Sequence, residues 1–151
     1  MNLFDEFSYI IQQLQKHSIS YAVIGGIAMA FHDEPRFTKD IDLLILPEEL
    51  EKIGQILKDI GYFESAEPLA FRNSQLTMDR FMKVEGEDYL VVDILYGSES
   101  KYLEIVKHAL IQDSSYGPVR IATKEGIIWL KQQRGSDQDK VDIRRLQNDQ
   151  N

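Results

Sequence analysis

Residues 21–46, YAVIGGIAMAFHDEPRFTKDIDLLIL, decide the fold of this chain. Residues 21–24 form a short apolar run with β-branched members, which predicts a strand that ends at Gly25 and Gly26. Residues 27–31 suit a short helix. Residues 40–46, DIDLLIL, are too few and too apolar for anything but a buried strand. The stretch therefore predicts a strand, a glycine turn, a short helix, a loop and a second strand.

Two carboxylates begin the second predicted strand. Residues i and i+2 of a strand point to the same face, so Asp40 and Asp42 stand side by side. Two ionised carboxylates at that spacing repel each other, and one pKa rises unless a cation lies between them. A Mg²⁺ ion suits this position, because it prefers oxygen ligands and usually binds one or two carboxylates plus substrate phosphates.

The glycine turn supplies a complementary feature. Glycine lets the backbone approach a ligand closely, and the helix that follows Gly25 and Gly26 directs unpaired N–H groups at a phosphate. A phosphate cradle and a metal-binding pair on neighbouring strands are the parts of a phosphoryl or nucleotidyl transfer site.

The spacing of these residues resembles a known signature. Gly25 and Gly26, followed by residues 27–39 and then by Asp40-x-Asp42, resemble the motif of the polymerase-β-like nucleotidyltransferase superfamily. The whole string is similar to the abortive-infection toxin branch, called AbiEii-like, whose pattern is Gly-Gly and then Arg-x-Thr-x-Asp-x-Asp. Four residues match the second part of that pattern position by position: Arg36, Thr38, Asp40 and Asp42.

Two later stretches extend the resemblance. The branch carries a third carboxylate on a later strand, and Asp93 in YLVVDILYG matches it. A lysine and an acidic cluster near the C-terminus also match, and the candidates there are Lys131, Arg134, Asp139 and Asp142. The resemblance implies an NTP substrate and one or two Mg²⁺ ions held by three catalytic residues, Asp40, Asp42 and Asp93. The nucleotide-binding candidates are Gly25, Gly26, Arg36, Thr38, Lys131 and Arg134.

Structural roles stay open for two of these positions. Asp93 lies in an apolar run, where an unpaired charge is expensive, and it could instead pair with Arg80 or Lys83 across a hairpin. Arg36 could meet a phosphate or form an ion pair with a nearby acidic residue.

Length and composition predict one globular domain, residues 1–151. The chain is 43% hydrophobic and 28% charged, which is ordinary for a soluble protein. No apolar run approaches the ~20 residues of a membrane span, and MNLFDEF lacks the positive region of a secretory signal. Zero cysteines rule out disulfides and fit a reducing cytoplasm, which is the predicted location.

The charge is distributed unevenly along the chain. A net charge of −8 argues against a general DNA or RNA coat. Residues 118–151, however, hold seven Lys or Arg against five Asp or Glu, a net charge of +2. A phosphate-bearing substrate would be drawn to the metal site and to these basic residues rather than to the body of the protein.

The predicted fold is α/β (α+β), a nucleotidyltransferase fold. It has a mixed central sheet of about five strands, helices mainly on one face and an open active-site face. Hydrophobic periodicity predicts helices at 2–16 with Asn2 as the cap, after Pro47, at 101–112 and within 124–147, where they pack on the domain. The other expected elements are a hairpin of strands at 78–84 and 89–96, an edge strand at 119–122, and an irregular rim of the substrate site at 62–77.

These features predict a Mg²⁺-dependent nucleotidyltransferase that moves an NMP from an NTP to an acceptor hydroxyl or phosphate. Asp40 and Asp42 would hold the ion that bridges the triphosphate, while Asp93 would share a second ion or act as general base. The AbiEii-like resemblance implies RNA, such as tRNA, or a partner protein as the acceptor, often within a toxin–antitoxin pair.

Other interpretations stay open. The order of motifs also resembles small antibiotic nucleotidyltransferases of the lincosamide type. A minimal nucleotidyltransferase with a helical partner typically has Gly-Ser where this chain has Gly25 and Gly26, which counts against it. A nucleotide-binding or interaction module with the fold but not the activity is a further candidate. The sequence does not decide the acceptor, the NTP, the oligomeric state, or the roles of Lys131, Arg134, Asp139 and Asp142.

Overall fold

The computed structural model of the chain describes residues 1–32, 40–71, 74–115 and 117–148. Two of the predicted binding residues, Arg36 and Thr38, lie outside the described residues. The helices are α1 (Leu3–Lys16), α2 (Gly25–Phe31), α3 (Leu50–Asp59), α4 (Ser100–Lys107), α5 (Lys124–Arg134) and α6 (Asp137–Asn148), and a 3₁₀ turn at Pro47–Glu49 precedes α3. The strands are β1 (Tyr21–Ile24), β2 (Asp40–Ile45), β3 (Phe63–Glu64), β4 (Leu69–Ala70), β5 (Thr77–Glu85), β6 (Asp88–Tyr96), β7 (Leu110–Ser114) and β8 (Gly117–Ile121).

In the described part of the chain, eight strands form one mixed sheet in the order β3-β5-β6-β2-β1-β8-β7, with β4 paired to β5. β2 runs parallel to β6 and β1 runs parallel to β8, while the remaining pairs are antiparallel. The mixed sheet and its helices confirm the predicted fold class. The sheet contains more strands than the five that the sequence predicts. Strands β3 and β4 are only two residues long and leave no clear pattern in the sequence, and β7 replaces the end of a predicted helix.

Helices α1 and α3 cover the face of the sheet that points away from the acidic residues. Gly54 of α3 lies against the ring of Phe81, and Glu6 of α1 pairs with Lys83 at 2.8 Å. Phe81 and Lys83 alternate with Arg80 along β5 and therefore share the back face. The buried residues of α1, of α3 and of the central strands belong to one hydrophobic core.

One predicted helix is wrong in its second half. The helix predicted for residues 101–112 ends at Lys107, and residues 110–114 form β7. β7 exchanges hydrogen bonds with β8 from Leu110–Ile121 to Ser114–Gly117, and this tertiary pairing outweighs the local helical spacing. β8 consequently lies inside the sheet rather than at its edge, which corrects the edge strand expected at 119–122.

The C-terminal helices are joined by a buried ionic contact. Lys131 of α5 is 2% exposed; its Nζ donates to Oδ2 of Asp142 at 2.9 Å and lies 3.7 Å from Oδ1 of Asp139. Gly135 ends α5 with φ 69°, and a capping box follows: Asp139 N donates to Ser136 Oγ while Ser136 N donates to Asp139 Oδ2. The geometry of this corner therefore sets where α6 lies.

Gly25 determines how closely β2 approaches the start of α2. Its φ of 71° is in the left-handed region, which glycine adopts without steric cost. A Cβ atom built on Gly25 would collide with the carboxylate of Asp42, which is paired in register with Ile24. Glycine is thus required here both by the backbone conformation and by the nearby acidic side chain.

No helix in the described ranges has the length and apolar character that crossing a membrane requires.

We predict that Gly25→Ala destabilises the protein more than Gly86→Ala. Gly86 has a similar φ of 61°, but a Cβ there would meet nothing within 4 Å. Gly86→Ala should therefore cost only the backbone strain, roughly 1–2 kcal/mol, while Gly25→Ala should add about 1–3 kcal/mol of overpacking against Asp42. Urea denaturation of both variants measures the difference, and equal free energies of unfolding would show that Asp42 does not crowd Gly25.

We also predict that Asp142→Ala lowers the free energy of unfolding by about 3–5 kcal/mol, because the buried Lys131 ammonium loses the closer of its two carboxylate partners and keeps only the longer contact to Asp139. The double variant Lys131→Met with Asp142→Leu should be more stable than Asp142→Ala, since it removes both charges. Glu104→Ala, which breaks the exposed pair with Lys101, is the control and should cost less than about 1 kcal/mol. A double variant no more stable than Asp142→Ala would contradict this account.

Candidate active site

The pairing of β2 with β6 brings three carboxylates to one face of the sheet. Asp42 lies directly opposite Asp93 in the parallel register, and Asp40 is opposite Val91. Residues in register point to the same side of a sheet, as do residues two apart on one strand. The side chains of Asp40, Asp42 and Asp93 therefore share one surface, which we call the acidic face, and the structure brings them together as the sequence predicts.

The glycine turn lies at the edge of the acidic face. α2 begins at Gly25, whose Cα lies against the Asp42 carboxylate, and Gly26 follows in the first turn. The first N–H groups of a helix have no partner within the helix. Their use in phosphate binding stays a prediction, as does the role of Arg36 and Thr38 outside the described residues.

Arg80 approaches the acidic face from β5 on the far side of β6. It is opposite Asp93 in the antiparallel register. Its Nε donates to Oδ1 of Asp93 at 2.8 Å, and its Nη2 donates to Oδ2 at 3.0 Å. The Asp93 side chain is 5% exposed, whereas that of Arg80 is 42% exposed. The ion pair that the sequence leaves open for Asp93 is thus present, and it lies on the same face as Asp42.

The neighbouring negative charges contribute to a raised pKa of Asp42. Burial, and then the nearby charge of Asp93, raise the pKa of Asp42 to about 7. Asp40 adds to this rise, while Arg134 and Lys131 oppose it. A carboxyl group whose pKa is raised in this way is stabilised in its ionised form by any additional cation.

Arg134 lies at the acidic face, whereas Lys131 is enclosed between α5 and α6. Arg134 is 23% exposed, and its Nη2 donates to Asp139 Oδ1 at 2.6 Å. Burial raises the pKa of Asp139, but hydrogen bonds with Ser136 and the charge of Arg134 lower it by more, so the pKa of Asp139 is lowered overall. Asp139 and Asp142 are therefore ion-pair partners of the two basic residues, and a nucleotide-binding role for Lys131 and Arg134 stays a prediction.

An open cavity of about 330 Å³ lies over the acidic face. All three carboxylates line it, together with Arg80 and Arg134. Leu69 and Phe71, from the irregular region expected at the rim, line it as well. A cavity of this size falls at the low end of the range for small-molecule sites, roughly 300–1,000 Å³.

The donor chemistry of the acidic face fits a hard divalent cation. Within the described residues, no three acidic or histidine side chains converge closely enough to hold a metal ion by themselves. Asp40 and Asp42 nevertheless supply carboxylate oxygens from one face of β2, and Mg²⁺ usually takes one or two carboxylates together with substrate phosphates. This pair therefore fits the predicted ion without a third protein ligand.

The sequence names Arg80 only as a possible partner of Asp93 and does not place it at the site. The signal for it is in the hairpin: the two-residue turn pairs Glu85 with Asp88, and counting outward from that pair sets Arg80 opposite Asp93. Ser136 and Gln138 also line the cavity, but only the packing of α6 brings them there.

Solved structures show the same fold. A protein described as a nucleotidyltransferase, TM1012 from Thermotoga maritima, matches with a TM-score of 0.67 and 12% identity over 97% of this chain and 92% of that chain. The lincosamide antibiotic adenylyltransferase LnuA, solved with lincomycin, matches with a TM-score of 0.57 and 17% identity over 95% of each chain. ANT(2″)-Ia, solved with adenylyl-2″-tobramycin, matches with a TM-score of 0.55 and 16% identity over 94% of this chain and 86% of that chain.

Sequence comparison gives the family. No curated protein matches this chain. Residues 10–131, however, match the family described as "Nucleotidyl transferase AbiEii toxin, Type IV TA system". That region runs from α1 through the glycine turn and the acidic face to Lys131, and it confirms the resemblance drawn from the motifs. Since the match covers well over half of the chain, this protein belongs to the AbiEii nucleotidyltransferase family and is a nucleotidyltransferase.

Proposed function

We propose that the protein transfers an NMP from an NTP to an acceptor hydroxyl or phosphate in a Mg²⁺-dependent reaction at the acidic face. The observation that carries this proposal is the register of β2 and β6, which sets Asp42 opposite Asp93 and beside Asp40. Membership of the family supports the class of reaction. The pKa of Asp42, raised by burial and then by Asp93, supports a cation at the same place.

Asp40 and Asp42 are the proposed ligands of the ion. Mg²⁺ bound there would supply charge stabilisation to the triphosphate and the leaving pyrophosphate. Asp93, at the other side of the same face, is the proposed general base, positioned to take the proton of an acceptor hydroxyl. These roles divide the face into a phosphate side next to β1 and an acceptor side next to β5.

The remaining candidates surround the phosphate side. The amides of Gly25 and Gly26 are proposed to donate to a phosphate at the start of α2. Arg134 is proposed to face the triphosphate, because it lines the cavity and a guanidinium can bind two phosphate oxygens at once. Lys131 is proposed to add charge from its buried position, and Arg36 and Thr38 are proposed to complete the phosphate contacts.

For the acceptor, we propose RNA, such as tRNA, or a protein, with this chain as the toxin of a toxin–antitoxin pair in the cytoplasm. The support is the description of the family, which names a type IV toxin–antitoxin system. An antitoxin is then the proposed protein partner. A lincosamide-type small molecule is the second candidate acceptor, because LnuA matches this chain over 95% of both lengths.

We predict that Asp40→Asn and Asp42→Asn each reduce Mg²⁺-dependent transfer from α-labelled NTP by about a hundredfold or more, since even groups that only orient metal ligands typically contribute 10–100-fold. Asparagine keeps the shape of the side chain, so the fold should be retained, and circular dichroism checks this. Omission of Mg²⁺ or addition of EDTA should abolish transfer by the wild type.

Asp113→Asn is the matched control. Asp113 lies on the exposed edge strand β7, away from the acidic face, and its loss should leave transfer unchanged. Transfer by Asp40→Asn and Asp42→Asn at the rate of the control would exclude the acidic face as the catalytic centre.

The acceptor is tested by offering the wild type each α-labelled NTP with cell RNA, cell protein or lincomycin. We expect label in the RNA or protein fraction, and loss of that label when the antitoxin is co-expressed. Label on lincomycin alone would favour the small-molecule interpretation. Nucleotide binding by calorimetry without pyrophosphate release on any acceptor would favour an inactive binding module.

A further inference from the structure

The proposed reaction gives no role to Arg80, although Arg80 contacts one of its catalytic residues. Its guanidinium bonds to both oxygens of Asp93, the proposed general base, at 2.8 and 3.0 Å. It also lines the cavity over the acidic face together with Asp40 and Asp42. A bidentate ion pair of this kind fixes the orientation of the carboxylate plane and also neutralises the charge of the carboxylate.

The charge of Arg80 is directed at the whole acidic face. The hydrogen bond with Asp93 raises the pKa of Arg80, and the charges of Asp93, Asp40 and Asp42 raise it further, against the effect of burial. The guanidinium thus occupies both oxygens of Asp93, which a divalent cation shared by Asp93 and Asp42 would also need. A fixed positive charge bonded to Asp93 also repels a divalent cation on the same face.

The exposure of the two side chains indicates which of them can move. Asp93 is held in the centre of β6 and is 5% exposed, whereas Arg80 reaches it from a strand near the edge with 42% of its side chain in solvent. A long arginine side chain can turn toward solvent or a phosphate without any change in the backbone. The pair is therefore one that can open from the Arg80 side.

We propose that Arg80 is a positioning residue that competes with a divalent cation for Asp93. In the paired arrangement Arg80 holds the Asp93 carboxylate toward β5, so that the cation site consists of Asp40 and Asp42. When Arg80 swings away, Asp93 becomes available to a second cation or to the acceptor proton. The inference rests on the proposed function, because it assigns a control on cation binding to the same acidic face.

The test measures cation binding directly, without nucleotide. Titration calorimetry with MgCl₂ should show that Arg80→Met binds Mg²⁺ about 5–10-fold more tightly than the wild type, at the lower end of typical coupling between sites. Arg80→Lys keeps the positive charge but loses the bidentate hydrogen bonds to Asp93. Its Mg²⁺ affinity should lie between those of the wild type and Arg80→Met. In an Asp93→Asn background, Arg80→Met should raise the affinity clearly less than in the wild-type background, because only the loss of one positive charge near Asp40 and Asp42 remains.

Lys83→Met is the matched control. Lys83 lies on the same strand but on the back face, where it pairs with Glu6, so the variant changes the net charge equally without touching the acidic face. It should leave Mg²⁺ affinity within about twofold of the wild type, because its charge lies on the opposite face of the sheet and is already paired with Glu6.

A second measurement guards against loss of stability in Arg80→Met, whose Asp93 loses its partner. Addition of MgCl₂ should raise the melting temperature of Arg80→Met more than that of the wild type, since a ligand that binds the folded state stabilises it. The double variant Arg80→Met with Asp93→Asn removes both charges of this ion pair and should lose this extra gain.

Three results would overturn the inference. The first is unchanged or weaker Mg²⁺ affinity in folded Arg80→Met. The second is an equal rise in Lys83→Met, and the third is an equally large rise of Arg80→Met in the Asp93→Asn background. In each of these, Mg²⁺-dependent transfer by the wild type would still support the proposed function. The proposed function would instead be rejected by the absence of Mg²⁺-dependent transfer, whether or not Mg²⁺ binds without nucleotide.

Discussion

The parallel pairing of β2 with β6 is the constraint on which the rest of the structure depends. It sets Asp42 opposite Asp93 and so concentrates negative charge on one face of the sheet, next to the hydrophobic core. Carboxylates at this density are unfavourable without compensation. Much of the surrounding architecture provides that compensation, from the arginine on β5 to the basic residues at the end of α5.

The compensation comes from two directions with different mechanical properties. On one side, Lys131 and Arg134 belong to a corner made rigid by a capping box and a left-handed glycine. On the other side, Arg80 is a partly exposed side chain on a strand near the sheet edge. Rigid charge suits the binding of a phosphate in a defined place, while a movable charge suits a group that must be exchanged during a reaction.

How much of this could be predicted from sequence depends on how far apart the partners are. The helix cap formed by Asn2 involves residues three apart, and the motif at 25–42 lies within one short stretch, so pattern and composition suffice to predict them. The last turns predicted for the helix at 101–112 fail because their partner is β8, and no local periodicity encodes that pairing. That Asp93 faces Asp42 rather than Asp40 likewise depends on a register between strands about fifty residues apart, which only packing decides.

The hairpin that carries Arg80 and Asp93 has a consequence for the order of folding. These residues are 13 apart in sequence, whereas β2 and β6 must close a much longer loop. Loop-closure entropy rises with length, and a hairpin forms within about 1–10 μs. Asp93 would then already carry its counter-charge when it meets Asp42, so that the assembling chain avoids bringing two bare anions together. Local chain connectivity would in this way lower the electrostatic barrier to assembling the nucleotidyltransferase sheet.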